Sequence, residues 1–405
     1  MEKIAIINSV IDYGSTGSLT RSLFEYGKRQ GYEPFVFYGR GKENYDDHLL
    51  RIDCTIEVYI HKVLSLLTGK QGFYSNNATN KLLRCLHNGS FKKVILLNLH
   101  GYYINEARLL SFLKNNRVIT AYVTPDEYAG LGKCCYSLNC DQYKTECKNC
   151  PHINDYPKSF LFDRSNDIFK MKKNVYNGFN TLTLLGPESN LIKFRESALV
   201  KDKPMKRISW GIDLDLYKYE VVEGLYEKYK IPKNKILILT VASYSNLRKG
   251  VKEYFFEVAK RLQHTEYHFI NVGYDGNLRP DEIPCNMTTI AYIHDQKELA
   301  NLYALSDLYL LASKTDTMPI SCLIAFGCET PVCCFYTSGL RYLAPVDSLA
   351  IKYCYDISVN SLLKVVTKVH KKTLEERIAC RELAKTEYSV EAFCKKVYEV
   401  FDVEE

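Results

Sequence analysis

The sequence predicts an α/β fold built from two domains, each with a parallel β-sheet. Short apolar, β-branched segments alternate with longer segments of helical periodicity, a pattern typical of parallel sheets covered by helices on both faces. This alternation restarts near residue 210. A chain of 405 residues is long enough for two or three domains of ordinary size, which agrees with this division.

The first domain is predicted to span residues 1–209. It opens with an apolar strand over 3–8, a loop that contains Gly14 and Gly17, and a helix with an apolar face. A further helix is predicted over 105–113. The other predicted strands of this domain lie at 34–38, 94–99, 118–123 and 181–185.

The second domain is predicted to span residues 210–388, with a buried first strand over 235–242. Apolar residues then recur at helical spacing from Val251 to Leu262, which predicts a helix that packs on the sheet. A last helix within 389–405 has one apolar face and must therefore pack against another part of the protein. Further strands are predicted at 267–272, 308–312 and 331–335, and helices at 296–305 and 320–328.

Composition limits the classes of protein to consider. The hydrophobic content of 46% and charged content of 25% exclude a disordered chain. The net charge of +7 favours anionic ligands or a membrane surface, whereas no basic run indicates nucleic-acid binding. The four-residue apolar run near the N-terminus is short for a secretory signal, and the 15 cysteines suit a reducing compartment. We therefore expect a cytoplasmic protein, and the apolar stretch 63–67 between Lys62 and Lys70 suggests peripheral contact with a membrane.

Loops that follow strands are the first candidates for a site, because α/β proteins bind ligands at the carboxyl ends of their strands. The loop with Gly14 and Gly17 leads into a helix whose N–H groups suit a phosphate, although a plain tight turn has the same composition. Arg248 and Lys249 before Gly250 suit a diphosphate, the arginine through forked hydrogen bonds and the lysine as a point charge. The alternative interpretation is a solvated basic turn.

A third loop contains Asp316, followed by Pro319, Ile320 and Ser321 at the start of a predicted helix. Proline fits the first helical turn because no N–H donor is needed there. The carboxylate of Asp316 is able to accept hydrogen bonds from sugar hydroxyls. It is also suited to cap the helix, and local sequence alone favours this second role.

A cysteine-rich loop in the first domain has the spacing C-x5-C-x6-C-x2-C, formed by Cys134, Cys140, Cys147 and Cys150. Four thiolates predict a closed tetrahedral zinc site of structural rather than catalytic type. Free thiols or a disulfide are the alternatives, and Cys135 lies outside the pattern.

Several short motifs follow one another along the chain in a specific order. They are Tyr13-Gly14-Ser15-Thr16-Gly17, Tyr38-Gly39-Arg40-Gly41, Leu99-His100-Gly101-Tyr102-Tyr103-Ile104-Asn105, Asn149-Cys150-Pro151, Tyr156-Pro157-Lys158-Ser159, Gly211-Ile212-Asp213, Arg248-Lys249-Gly250 and Thr330-Pro331-Val332. In combination they resemble the family-4 glycosyltransferases that build capsular, exopolysaccharide and O-antigen chains in bacteria, particularly the colanic-acid branch. The resemblance covers nearly the whole chain and implies a GT-B fold, in which two Rossmann-like domains face each other and the last helix crosses back to the first.

The resemblance also implies a function. A transferase of the retaining type would move a sugar from a nucleotide-diphosphate donor, held by the second domain, to a lipid-linked or oligosaccharide acceptor on the first. No metal is required for that reaction. The catalytic residues would be Asp126 and Asp316, and the acceptor side would include His100, Tyr102 and Tyr103. The donor would be bound by Gly17, Arg248, Lys249, Asp316, Pro319, Ile320 and Ser321.

Two positions depart from the family pattern where the chemistry is expected. Family members usually carry a histidine before the aspartate at 126, where this chain has Pro125, and a second acidic residue where it has Ile324. A further departure is Glu329, where the family prefers glycine. The sequence therefore leaves two main hypotheses, an active transferase with an unusual donor and a catalytically silent binding or partner subunit of a polysaccharide locus. A nucleotide-sugar epimerase of the same two-domain architecture is a third, which the cysteine loop and the order of the motifs disfavour.

Overall fold

The computed structural model of the protein describes residues 1–12, 14–41, 46–276 and 278–402. Tyr13 of the glycine motif and the end of the predicted 389–405 segment, residues 403–405, lie outside the described residues. The chain divides into two compact units. Unit 1 comprises Met1–Ile208 and Cys394–Glu405, and unit 2 comprises Ser209–Phe393.

Unit 1 contains a parallel sheet that follows the order of a dinucleotide-binding fold. The described residues form the strands β1 (Glu2–Val10), β2 (Tyr32–Arg40), β3 (Leu49–Arg51), β4 (Lys93–Leu96), β5 (Ile119–Val123), β6 (Leu182–Gly186) and β7 (Met205–Arg207). Their order across the sheet is β3-β2-β1-β4-β5-β6-β7. The order reverses between β1 and β4, and this is where ligands usually bind in such sheets.

Helices cover the sheet of unit 1. Side chains of β1 are buried on both faces, as its continuous apolar run predicts, and Ile4, Ile6 and Ile7 are fully buried. Burial of one such side chain on folding stabilises the folded protein by about 1.5–3 kcal/mol. The helices are α1 (Gly14–Arg29), α2 (Thr55–Thr68), α3 (Asn76–Asn88), α4 (Glu106–Asn115), α5 (Ser165–Tyr176) and α6 (Glu188–Glu196).

Unit 2 repeats this architecture. Its strands are β8 (Ile236–Val241), β9 (Tyr267–Val272), β10 (Met287–Ile290), β11 (Leu308–Leu311), β12 (Val332–Phe335) and β13 (Ile351–Cys354). They are all parallel and lie in the order β10-β9-β8-β11-β12-β13, which reverses between β8 and β11. Its helices are α7 (Gly224–Lys228), α8 (Phe256–Arg261), α9 (Gln296–Leu305), α10 (Ile320–Gly327), α11 (Val359–Val366) and α12 (Leu374–Glu387).

The helix predicted from Val251 does not begin as a regular α-helix. Val251–Phe255 form a π-helical turn, in which the N–H of Phe256 donates to the carbonyl of Val251, and α8 follows. The apolar stripe is nevertheless buried, with Val251, Phe255 and Val258 at 1% exposure or less. The apolar stripe predicts correctly which face of the helix packs on the sheet. It does not predict the hydrogen-bond spacing along the helix.

The last helix, α13, spans Val390–Tyr398. Phe393 packs edge-on against Trp210 within unit 2. The end of the helix belongs to unit 1, where the ring of Tyr398 contacts those of Tyr26 and Tyr32 and its hydroxyl donates to the Leu23 carbonyl. The apolar face predicted from the sequence is therefore buried.

Among the described residues, we find no helix with the length and apolar character needed to cross a lipid bilayer.

Candidate functional site

The loop after β8 holds the two predicted cations at the carboxyl edge of the unit 2 sheet. The side chain of Asn246 accepts hydrogen bonds from the backbone N–H groups of Arg248 and Lys249 and so caps the short turn that carries them. Gly250 adopts a left-handed conformation, and a Cβ atom there would lie 2.3 Å from the carbonyl oxygen of Ala312. Only glycine therefore allows this loop to approach the end of β11 so closely.

Arg248, Lys249 and Asp316 converge at the point where the strand order reverses. Asp316 Oδ2 accepts a hydrogen bond from Arg248 Nη1 at 2.9 Å and from Lys249 Nζ at 2.8 Å. Arg248 Nη1 also donates to the carbonyl of Thr315 at 3.0 Å. One carboxylate is thus shared by two cations, and the cluster keeps an excess positive charge.

This cluster remains accessible. The side chain of Arg248 is 49% exposed and that of Lys249 is 21% exposed, whereas Asp316 is 14% exposed. Ion pairs this close to solvent contribute about 0–1 kcal/mol each. A diphosphate carries more charge than one carboxylate and would compete for both cations at small cost.

Asp316 does not cap helix α10. Its Oδ1 accepts from the N–H of the next residue, Thr317, and the capping position of α10 is occupied by Pro319 without a side-chain hydrogen bond. The loop after β12 packs closely here, because the N–H of Gly339 donates to the Asp316 carbonyl and a Cβ on Gly339 would overlap the carbonyl of Thr317. The capping interpretation is therefore wrong, and Asp316 serves as the ion-pair partner of the cations.

The other predicted donor residues of unit 2 surround α10. Pro319, Ile320 and Ser321 form its start, directly after the loop of Asp316. Ile324 lies one turn further on and is 7% exposed. Its side chain has no polar atom, so the position of the family's second acidic residue offers no hydrogen bond to a ligand.

A serine and aspartate group beside the cations was not predicted from the sequence. Asp275, after β9, accepts hydrogen bonds from the hydroxyls of Ser243 and Ser245 and from the Ser245 N–H. These hydrogen bonds lower the pKa of Asp275 to about 2. The carboxylate thus holds the first part of the loop that carries Arg248. Neighbouring strands bring these residues together, which no local spacing indicates.

In unit 1, the glycine loop is anchored by a buried asparagine. Asn8 Nδ2 donates to the carbonyls of Val10 and Thr16 and to the hydroxyl of Thr20, while its Oδ1 accepts from the N–H of Asn98 after β4. A Cβ on Gly17 would lie 3.1 Å from the backbone nitrogen of Asp12. Gly17 therefore permits close packing of the loop, in the other unit from Arg248 and Lys249, and its predicted contact with phosphate stays a prediction.

His100 and Asp126 form a pair at the carboxyl ends of β4 and β5. Their Nε2 and Oδ2 atoms are 2.7 Å apart, and Asp126 Oδ1 accepts from the N–H of Tyr128 at 2.9 Å. Which ring nitrogen of His100 donates depends on its tautomer, and the proton on Nε2 is the tautomer that would donate to Asp126. Nδ1 lies 3.3 Å from the hydroxyl of Tyr156. An imidazole thus contacts Asp126 although the preceding residue is Pro125.

A buried ion pair lies behind this histidine. Lys172 is fully buried and donates to the carbonyls of Tyr128 and Leu131, and its Nζ is 4.0 Å from Glu106 Oε1. Burial lowers the pKa of Lys172, an effect that Glu106 opposes. The hydroxyl of Tyr128 donates to Glu106, and the Tyr128 ring packs against that of His100. The network fixes the surface on which the imidazole rests.

The two tyrosines predicted on the acceptor side have different environments. Tyr103 is fully buried, and its hydroxyl donates to the carbonyl of Asn98. A Cβ on Gly39 would lie 2.3 Å from that of Tyr103, so glycine at this position of β2 makes room for the ring. Tyr102 has a φ of 65°, and its ring contacts those of His61 and Tyr156. Tyr103 thus positions the loop, whereas Tyr102 belongs to the aromatic cluster around His100.

His100, Asp126 and Cys135 also place three potential metal ligands within 4.8 Å of one another. The Nε2 to Oδ2 distance of 2.7 Å is that of a hydrogen bond. Two ligands of one tetrahedral zinc ion would be about 3.3 Å apart. Burial raises the pKa of the Cys135 thiol well above its usual value, and the neighbouring carboxylate of Asp126 raises it further. The arrangement therefore fits a hydrogen-bonded cluster better than a metal centre.

The four cysteines of the predicted zinc site are free thiols near one another in one loop. Burial raises the pKa of Cys134 to about 12 and that of Cys147 to about 11. Within the described ranges, no three of these sulfur atoms lie within 4.8 Å of each other. A structural zinc site at Cys134, Cys140, Cys147 and Cys150 therefore stays a prediction.

Residues 235–352 match the family described as glycosyl transferases group 1. The chain resembles these transferases. WcaC of Escherichia coli K12, a protein assigned to colanic acid biosynthesis as a glycosyl transferase, is 22% identical over 180 residues, which are 40% of this chain and 42% of WcaC. The match thus spans less than half of that relative.

Solved glycosyltransferase structures share the fold. A glycosyltransferase from Rickettsia africae ESF-5 aligns with a TM-score of 0.67 and 12% identity over 100% of this chain and 99% of that one. Anabaena HepE in complex with UDP aligns with a TM-score of 0.63 and 11% identity over the whole of both chains. The predicted fold class, two Rossmann-like domains of GT-B type with a cysteine-rich loop in the first, is confirmed.

Proposed function

We propose that this protein is a retaining glycosyltransferase that moves a sugar from a nucleotide-diphosphate donor to a growing cell-surface polysaccharide. Unit 2 holds the donor, and unit 1 holds a lipid-linked or oligosaccharide acceptor. The observation that carries the proposal is the pairing of Arg248 and Lys249 with one carboxylate, Asp316, at the reversal of strand order. The match of residues 235–352 to glycosyl transferases group 1 supports the proposal. So do the similarity to WcaC, which is assigned to colanic acid biosynthesis, and the similarity to HepE, whose structure contains UDP.

The chemistry follows from the charges of the cluster. As the glycosidic bond of the donor breaks, negative charge develops on the leaving diphosphate, and Arg248 and Lys249 stabilise it. Displaced from the cations, the carboxylate of Asp316 becomes available to hydroxyl groups of the donor. The reaction needs no metal ion, since the two side chains supply the positive charge.

The two departures from the family pattern bear on the donor. Ile324 offers no hydrogen bond, and loss of a charge-assisted bond to a ligand hydroxyl costs about 1.5–3 kcal/mol unless another group replaces it. On the acceptor side, His100 supplies an imidazole to Asp126. We therefore expect a donor different from that of the family's usual members.

A screen of nucleotide sugars with mass measurement of the products tests the activity. We expect turnover of one donor, and a decrease of about 100-fold or more for Lys249→Ala. Lys252→Ala, which removes an exposed lysine of the following helix, is the matched control and should have no effect. Equal turnover by Lys249→Ala and the wild type would contradict the mechanism. If calorimetric titration with the same nucleotide sugars detected no binding, a silent partner subunit would be favoured instead.

We also propose that the protein works in the cytoplasm at the inner face of the cell membrane. Helix α2 exposes Ile56, Tyr59, Ile60 and Leu67. The N–H of Phe160 donates to the Leu66 carbonyl, which brings the segment 160–162 beside the end of this helix. All three residues of that segment, Phe160, Leu161 and Phe162, are more than half exposed. Lys62 and Lys158 are exposed near this apolar surface, and such a combination favours anionic lipid.

A further inference from the structure

The donor chemistry proposed above makes no use of the motif Tyr38-Gly39-Arg40-Gly41. Arg40 is the last residue of β2 and pairs in register with Val10 at the end of β1. A Cβ on Gly101, in the loop after β4, would lie 3.2 Å from Ser9 Cβ and 3.3 Å from Arg40 Nη2. Gly101 has a φ of 125°. The guanidinium group is therefore held at the carboxyl edge of the unit 1 sheet, beside the reversal of strand order.

The guanidinium group lacks a carboxylate partner in the part of the chain that the structure describes. Its Nε is buried and has no hydrogen-bond acceptor. Asp12 is engaged through both oxygens by Arg21 at 2.7 Å, and Asp126 is engaged by His100 and a backbone N–H. A buried donor without an acceptor is unfavourable, so an oxyanion supplied by a ligand would stabilise the site.

Arg40 also lies beside an aromatic cluster. Burial raises the pKa of Tyr102 to about 12, and the positive charge of Arg40 opposes that rise. The same charge acts on Tyr156, whose ring contacts those of Tyr102 and His100. Aromatic rings beside a cation suit a sugar ring that carries a negative group.

We propose that Arg40 binds an anionic group of the acceptor, a phosphate or a carboxylate. The inference rests on the proposed function, in which unit 1 holds the acceptor. It narrows the acceptor to two kinds of molecule, a saccharide on a phosphate-containing carrier or a saccharide with an acidic sugar. Both present oxygens in the planar spacing that a guanidinium fork recognises.

Calorimetry on a double variant that lacks the cationic side chains of Arg248 and Lys249 tests the proposal. In Arg248→Gln/Lys249→Gln protein, inorganic pyrophosphate and glucuronate are titrated separately, so that the anion site of unit 1 is observed alone. We expect one of them to bind, and Arg40→Gln to weaken this binding by about tenfold or more. Binding of pyrophosphate indicates the phosphate carrier, and binding of glucuronate indicates the acidic sugar.

The matched control is Arg51→Gln. Arg51 ends the neighbouring strand β3. Its Nε is also buried without an acceptor, but its Nη2 already donates to the hydroxyl of Thr55. We expect unchanged anion binding for this variant, intermediate binding for Arg40→Lys, and equal thermal midpoints throughout. Equal binding with and without Arg40, or no binding of either anion to the Arg248→Gln/Lys249→Gln protein, would overturn the proposal. Wild-type protein that turns over no donor, while Arg40 still determines anion binding, would contradict the transferase activity alone.

Discussion

His268 shows how a single residue couples stability to pH. It lies in β9, is 8% exposed, and its Nε2 is 2.9 Å from the hydroxyl of Thr288. Burial, assisted by Lys235, lowers its pKa from 6.5 to about 4. The folded protein thus holds this imidazole neutral, whereas the unfolded chain binds a proton below pH 6.5. The contribution of His268 to stability is complete above that pH and is lost as the pH falls towards 4.

We therefore expect the free energy of unfolding to depend less on pH between 4 and 6.5 in His268→Gln than in the wild type, since glutamine does not titrate. The slope for one such group reaches about 1.4 kcal/mol per pH unit. Denaturant unfolding across this range measures it. His370→Gln, at an exposed position, should keep the wild-type slope. Parallel curves for His268→Gln and the wild type would refute the assignment.

Glu329 occupies a backbone position that suits glycine. Its φ of 59° lies in the left-handed region, where glycine is favoured. In this chain, Arg377 donates two hydrogen bonds to Glu329, at 2.8 and 3.0 Å. This forked pair offsets part of the backbone strain.

At the scale of elements, the central strands could be predicted from sequence and the edge strands could not. The strands around β1 and β8 are buried on both faces and read as continuous apolar runs. By contrast, β3 and β7 lie at the edges of the unit 1 sheet, and each is three residues long. An edge strand pairs on one side only, and so short a strand leaves no periodic signal.

The candidate sites could be predicted loop by loop but not as clusters. Arg248 and Asp316 were each indicated by their position after a strand, yet their ion pair depends on β8 and β11 being neighbours. That adjacency is a property of sheet order, which local spacing does not contain. The pair of His100 and Asp126 has the same origin, because β4 and β5 are adjacent. His100, in the loop after β4, therefore contacts Asp126 although the residue before this aspartate is Pro125.

For the whole molecule, the exposed apolar surface of α2 and residues 160–162 predicts binding to anionic membranes. We expect the protein to float with phosphatidylglycerol vesicles and not with phosphatidylcholine vesicles, and salt to weaken the association. Leu161→Ser/Phe162→Ser should abolish flotation because it removes apolar contact with the lipid. Leu349→Ser, at an exposed leucine of unit 2, is the control. Flotation of the double variant equal to that of the wild type would exclude this surface.

In the proposed function, Arg248 and Lys249 bind the diphosphate of the donor. Calorimetric titration of a panel of nucleoside diphosphates into wild-type and Lys249→Gln protein tests it most directly, with Lys252→Gln as the control. We predict that one nucleotide binds the wild type and the control equally, and binds Lys249→Gln about 10- to 100-fold more weakly. Equal affinity for Lys249→Gln, or no binding of any nucleoside diphosphate to the wild type, would contradict the account.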